Sequence, residues 1–174
     1  MEERILAPLD GTRIGEAILP KIEDLVLRME PGHDYEITLL QVVSQLNFNY
    51  LTEDKAAQLP YDEEDLAELK RKARHYLDKV AAKISSKGIK VRTMVTVGTV
   101  AEEIVKAARE IDAHLIAMST HGRQGIVRWA MGSITDQVMH LEARIPVLAI
   151  KASGKPASSP VLVTGSLESL VKHS

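Results

Sequence analysis

The chain has 174 residues, with 22 lysines and arginines against 24 aspartates and glutamates, for a formal net charge of −2. That length suits one domain with a proper core, and the near-balanced charge leaves no electrostatic footprint for nucleic acid. Cysteine is absent, which excludes a disulfide framework, a thiolate metal site and thiol catalysis.

Met1-Glu2-Glu3-Arg4 leads straight into an apolar run over 4–9, without a signal-peptide core. The loop after this first strand is Pro8-Leu9-Asp10-Gly11-Thr12. Ile14, Ile18, Ile22, Leu25 and Met29 then follow a 3.6 period, and Pro20 within them is expected to bend or fracture that helix. A second strand is expected over 35–43, and a long polar loop over 44–61.

Leu66, Leu69, Ala73, Leu77, Val80 and Ile84 mark a long amphipathic helix. Asp62-Glu63-Glu64-Asp65 opens it with acids that suit the positive end of its dipole. A third strand is expected over 90–96. Ala101, Ile104, Val105, Ala108 and Ile111 give the next helix, with Thr99 and Glu102 spaced as a capping box. A fourth strand ends at Met118, a helix carries Ile134, Val138 and Leu141, and a fifth strand covers 146–150. No apolar run approaches a membrane span, and a cytoplasmic protein is the expectation.

Alternating strands and helices indicate an α/β domain with a parallel sheet, and right-handed crossovers put helices on both faces. The chain therefore divides into a domain over 1–152 and a linker and tail over 153–174. The tail opens Ser-Gly-Lys-Pro-Ala-Ser-Ser-Pro and then carries Val161-Leu162-Val163.

The most telling pattern follows the fourth strand: Ser119-Thr120-His121-Gly122, nine residues, then Gly132-Ser133. A glycine-bearing loop between strand and helix lets backbone N–H groups converge on an anion. Ser133 is there as a phosphate ligand, a metal ligand or an N-cap. Asp10 either accepts hydrogen bonds from a ribose or base edge or caps the first helix. The histidines show no metal-ligand spacing.

Rival readings fail on particular residues. A receiver domain needs an acid at the end of strand three, where this chain has Thr96-Val97-Gly98. A dinucleotide-binding enzyme needs its glycine fingerprint after strand one, and G-x4-G-K-[S/T] is absent.

With Ile5 to Gly11, Val97-Gly98 and Ile145 to Ile150, the motif resembles the signature G-x-x-G-x9-G-[S/T] of ATP-binding universal stress proteins. Ser119 stands where that signature has its first glycine. The resemblance covers about residues 2–151 and implies an open five-stranded parallel sheet of order 3-2-1-4-5, Rossmann-like and similar to the adenine nucleotide alpha hydrolases. It further implies an ATP site in which Pro8 and Val42 line the adenine pocket and Asp10 contacts the nucleoside. Gly122, Gly132 and Ser133 hold the phosphates in that site, with Met118, Ser119 and His121 flanking them. Mg²⁺, if bound at all, arrives with the nucleotide.

No activating base or Walker-type lysine stands out, so hydrolysis is expected to be slow or absent. The implied role is a nucleotide-dependent stress or signalling factor. The alternative is a universal stress protein without nucleotide that works through protein contacts. The strand order leaves the apolar fifth strand at an edge, a pairing template, so a homodimer through it is expected.

Overall fold

A computed structural model describes residues 2–28, 34–44, 46–49, 57–60, 62–121, 134–152 and 161–164. Strand β1 (Glu2–Pro8) is followed by a short 3-10 helix (Gly15–Ile18) and α1 (Leu19–Arg28). The fracture expected at Pro20 is this junction. Proline is tolerated in a first helical turn because the N–H it lacks has no intrahelical partner there. Next come β2 (Asp34–Val43), β3 (Leu46–Asn49) and β4 (Ala57–Pro60), then α2 (Glu63–Ser85) and β5 (Lys90–Val97). The chain continues through α3 (Val100–Glu110), β6 (Leu115–His121), α4 (Ile134–Leu141), β7 (Val147–Ala152) and β8 (Val161–Thr164).

The main sheet has the order β5-β2-β1-β6-β7-β8. Its first five members are parallel and reproduce the order 3-2-1-4-5. The sixth is an addition: β8 runs antiparallel along β7, with Val147 opposite Thr164 and Ala149 opposite Val161. The fifth strand of the parallel set, expected to be an open edge, is thus covered by β8 over Val147–Ala149, the first half of its length. Part of the tail is sheet. The polar segment after β2 also differs from a plain loop, since β3 and β4 pair as an antiparallel ribbon from Leu46–Pro60 to Asn49–Ala57.

Two cores sandwich the sheet. On one face Ile5, Ala7, Ile37 and Leu39 pack with Ile18 and Ile22 of the first crossover and with Leu77, Val80 and Ile84 of α2. On the other, Leu6, Leu40, Ile116 and Met118 pack with Ala101, Ile104, Val105 and Ala108 of α3 and with Val138 of α4. The alternation along β1 and β2 is the period-2 pattern of a strand buried on both sides. Each fully buried Leu or Ile contributes about 1.5–3 kcal/mol by leaving water.

Helix starts are built locally. The Asp62 carboxylate accepts from the Asp65 N–H at 2.7 Å, as its position before three acids and an apolar face suggests. Thr99 sits at the N-cap of α3, but its side chain makes no capping hydrogen bond, so the expected capping box is not formed. In α4 the buried residues are Thr135 and Val138, while Ile134 and Leu141 are exposed. That helix is rotated from the face its apolar residues suggested.

Candidate nucleotide site at the sheet's carboxyl end

The ladder between β1 and β6 consists of Ile5–Leu115 and Leu6–Ile116. Beyond it each strand follows a different neighbour. β1 stays with β2 as far as Pro8–Leu40, and β6 stays with β7 as far as His121–Ala152. The carboxyl ends of β1 and β6 thus lie side by side at the point where strand order reverses, the place in an open α/β sheet where a ligand crevice forms.

The β1 side of this crevice is a tightly bonded turn. Asp10 Oδ1 accepts from the Thr12 N–H at 2.9 Å and from the Thr12 hydroxyl at 2.7 Å. Thr12 Oγ1 in turn accepts from the Gly15 N–H at 3.0 Å. A Cβ on Gly15 would lie 2.3 Å from Asp10 Oδ1, so glycine is required by the approach of the carboxylate. Gly11, at φ +79°, takes the left-handed conformation that the turn needs. Asp10 therefore acts as a turn-forming residue through one oxygen, and its side chain stands at the exposed carboxyl edge.

On the β6 side, the strand runs three residues further than its apolar segment. Ser119 pairs with Ile150 and Thr120 with Lys151, so Ser119 belongs to a strand and not to the start of a loop. Among the described residues only Asp112 has positive φ without being glycine, so the strained backbone that a serine at the motif's glycine position invites is absent. The Ser119 hydroxyl donates to the Gly15 carbonyl at 3.1 Å and ties β6 to the 3-10 helix. The Thr120 hydroxyl reaches the Ile150 carbonyl at 3.4 Å.

Pro8, Val42 and Met118 fall on one side. Met118 is buried in the α3/α4 core, Val42 packs against that core, and Pro8 shares its face with Leu6 by alternation. Met118 is thus a core residue at the end of its strand, and Val42 a partly buried one at the end of its own. Of the remaining sequence-derived residues, His121 ends β6, and Gly122, Gly132 and Ser133 lie outside the described residues.

Sequence reasoning missed the other wall. A crevice of about 390 Å³ opens between Gly11, the end of β2 from Gln41 to Ser44, and Leu69, Lys72, Ala73 and Tyr76 of α2. Gln41 Oε1 is buried there without a hydrogen-bond partner. The Tyr76 hydroxyl donates to Glu16 Oε1 at 3.0 Å. Burial, the bond to Glu16 and the negative charges of Glu16 and Asp10 all push the phenol's pKa up, so it stays a donor. The signal for this wall was Tyr76 itself, which shares the apolar stripe of α2 and carries a polar tip that must find a partner. Among the described residues no group of three metal-binding side chains gathers.

An open parallel sheet of this order, with helices packed on both faces, defines a Rossmann-like α/β domain. A model of the universal stress protein family matches residues 1–151, and the chain belongs to that family. The universal stress protein MJ0577 of Methanocaldococcus jannaschii is 28% identical over 161 residues, covering 87% of this chain and 96% of its own length. Its solved structure superposes with a TM-score of 0.68 at 24% identity, over 88% of this chain and 98% of that one. An Arabidopsis thaliana family member solved with AMP bound has a TM-score of 0.58 at 14% identity, covering 90% of this chain and 96% of its own. A universal stress protein in complex with cAMP has a TM-score of 0.54 at 15% identity, covering 87% and 98%. Among the described residues no helix is long and apolar enough to cross a membrane.

Proposed function

We propose that this universal stress protein binds ATP in the crevice between β1 and β6 and serves in the cytoplasm as a nucleotide-dependent stress or signalling factor. The observation that carries the reading is the side-by-side placement of the β1 and β6 carboxyl ends at the strand-order reversal, each running into a glycine-bearing segment. Family members with AMP and cAMP support an adenine nucleotide as the ligand class.

In this proposal Gly122, Gly132 and Ser133 take the phosphates, Asp10 the ribose, and Pro8, Val42 and Met118 the base side, with His121 flanking the phosphates. The exposed Asp10 carboxylate suits a ribose hydroxyl, which donates well to a charged acceptor. Mg²⁺ comes with the triphosphate and is held chiefly by it. Hydrolysis is slow in this reading, because the sequence offers no Walker-type lysine and no evident activating base. The rival reading, a family member without nucleotide, rests on Ser119 standing at the signature's first glycine, a position whose strand backbone carries no left-handed strain. Pairing of two copies along Val147–Ala149 of β7 requires β8 to give up its place first.

Titration calorimetry with ATP tests the reading. Wild-type protein is expected to bind in the micromolar range, and Gly132→Val to bind undetectably, because a β-branched side chain restricts the backbone and fills the phosphate's space. Equal binding by both would move the phosphates elsewhere. No binding by wild type would establish the interaction-module alternative.

A further inference from the structure

We infer that Ser119 is a positioning residue of the nucleotide site, one that holds the Asp10 carboxylate in place through a relay of hydrogen bonds running from β6 to the β1 turn. The inference rests on the ATP-binding reading above. Its basis is three hydrogen bonds joined through the Gly15 backbone. The Ser119 hydroxyl donates to the Gly15 carbonyl at 3.1 Å, the Gly15 N–H donates to Thr12 Oγ1 at 3.0 Å, and the Thr12 hydroxyl donates to Asp10 Oδ1 at 2.7 Å. Each hydroxyl has one proton to give, and each is spent in the same direction along the relay. The last link ends on a carboxylate, the strong kind of hydrogen bond.

Three features make the relay specific to this chain. Ser119 occupies the position where the family signature has glycine, which has no hydroxyl to donate. Its extended backbone costs nothing, so the hydroxyl comes without strain. Gly15 has no space for a Cβ, so the middle link passes through backbone held against the carboxylate. The 3-10 helix is pinned from its far side as well, by the Tyr76 hydroxyl on Glu16. The two strand ends that flank the crevice are thereby set relative to one another before ligand arrives, which lowers the ordering cost of binding.

A hydroxyl that only stabilised the fold would act independently of Asp10, and a double-mutant cycle separates the two roles. ATP is titrated into wild type, Ser119→Ala, Ser119→Gly, Ser119→Thr, Asp10→Ala and the Ser119→Ala/Asp10→Ala double variant. Removing the hydroxyl is expected to weaken ATP by about tenfold or more, while threonine, which keeps it, restores binding to within roughly twofold. In the Asp10→Ala background the Ser119→Ala step is expected to change affinity hardly at all. Amide exchange at Thr12 and Gly15 should quicken in Ser119→Ala.

Ser119→Gly binding ATP as tightly as wild type, or a full Ser119→Ala loss persisting without Asp10, overturns the inference and leaves the nucleotide reading standing. Wild-type protein that fails to bind ATP overturns both.

Discussion

The two ends of the parallel sheet are finished in opposite ways. At the amino end, charges close on each other. Glu36 is buried within 2.8 Å of Arg92 Nε and 3.7 Å of Lys90 Nζ. The Arg92 contact is ionic, since its angle is too poor to give Glu36 Oε2 a hydrogen bond. Lys90 also pairs with Glu2. Arg4 Nε donates to the Asp112 carbonyl at 3.3 Å, and the Arg4 N–H donates to His114 Nδ1 at 3.1 Å. The Glu3 carboxylate lies 3.5 Å from the same ring nitrogen.

Beneath α3 and α4, Glu142 accepts from Arg109 Nε at 2.7 Å and from the Arg144 N–H at 2.8 Å. The carboxyl end instead has a hydroxyl relay, an exposed Asp10 and the buried, unpartnered oxygens of Gln41 and Thr96. Polar groups already satisfied by protein contribute to stability, and unspent ones are what a ligand can use. The ion pairs and the candidate site thus lie at opposite ends of the strands.

The sharpest break of this contrast is Glu142→Ala. The side chain is 2% exposed, and its loss orphans the Arg144 N–H. A cost of about 2–3 kcal/mol in urea unfolding is expected, below the range for a fully buried pair because Arg109 is 62% exposed. ATP affinity should not move, and a matching loss of binding would show the two ends to be coupled.

Gly15→Ala addresses the other end. Displacing the Asp10 carboxylate should weaken ATP by roughly 10- to 150-fold, the equivalent of losing a charged hydrogen bond of about 1.5–3 kcal/mol. Its urea midpoint should fall less than that of Glu142→Ala, and wild-type affinity in this variant would remove Asp10 from the site.

The smallest effect is in acid. Burial pushes the Glu142 carboxyl up, but the Arg144 and Ile145 N–H groups and the Arg109 guanidinium outweigh it, leaving the pKa below 4.5. A lowered carboxylate stabilises the fold at neutral pH, and that stability disappears as pH falls through its folded-state value. The acid limb of a stability–pH curve should therefore be shallower in Glu142→Ala than in wild type, and parallel limbs would assign the titration elsewhere.

Much of this architecture was legible because it rests on local rules. The apolar runs give the five parallel strands, Pro20 marks the helix junction, and Asp62 starts α2. What escaped depends on neighbours. β6 continues through Ser119, Thr120 and His121 because β7 runs alongside to Ala152, and a strand end emerging from between helices has no need of apolar side chains. β3, β4 and β8 are short and owe their form to pairing, which a single segment does not reveal. Helix α4 buries Thr135 in preference to Ile134, a choice set by α3 across from it. At the site, Asp10 was legible as an acceptor, and its immediate sequence suits a helix cap as well as a nucleoside contact. The Thr12–Gly15–Ser119 connection spans over a hundred residues and has no local signature.

The antiparallel strand β8 occupies backbone groups of β7 that any second copy pairing there would need. It is tethered to β7 through residues 153–160, and a short tether of this kind holds its end at an effective concentration of order millimolar. A second molecule at micromolar concentration competes for the same backbone groups of β7 at a disadvantage of roughly a thousandfold. Association along that edge is then governed less by how well two β7 strands fit than by whether the tail is occupied elsewhere.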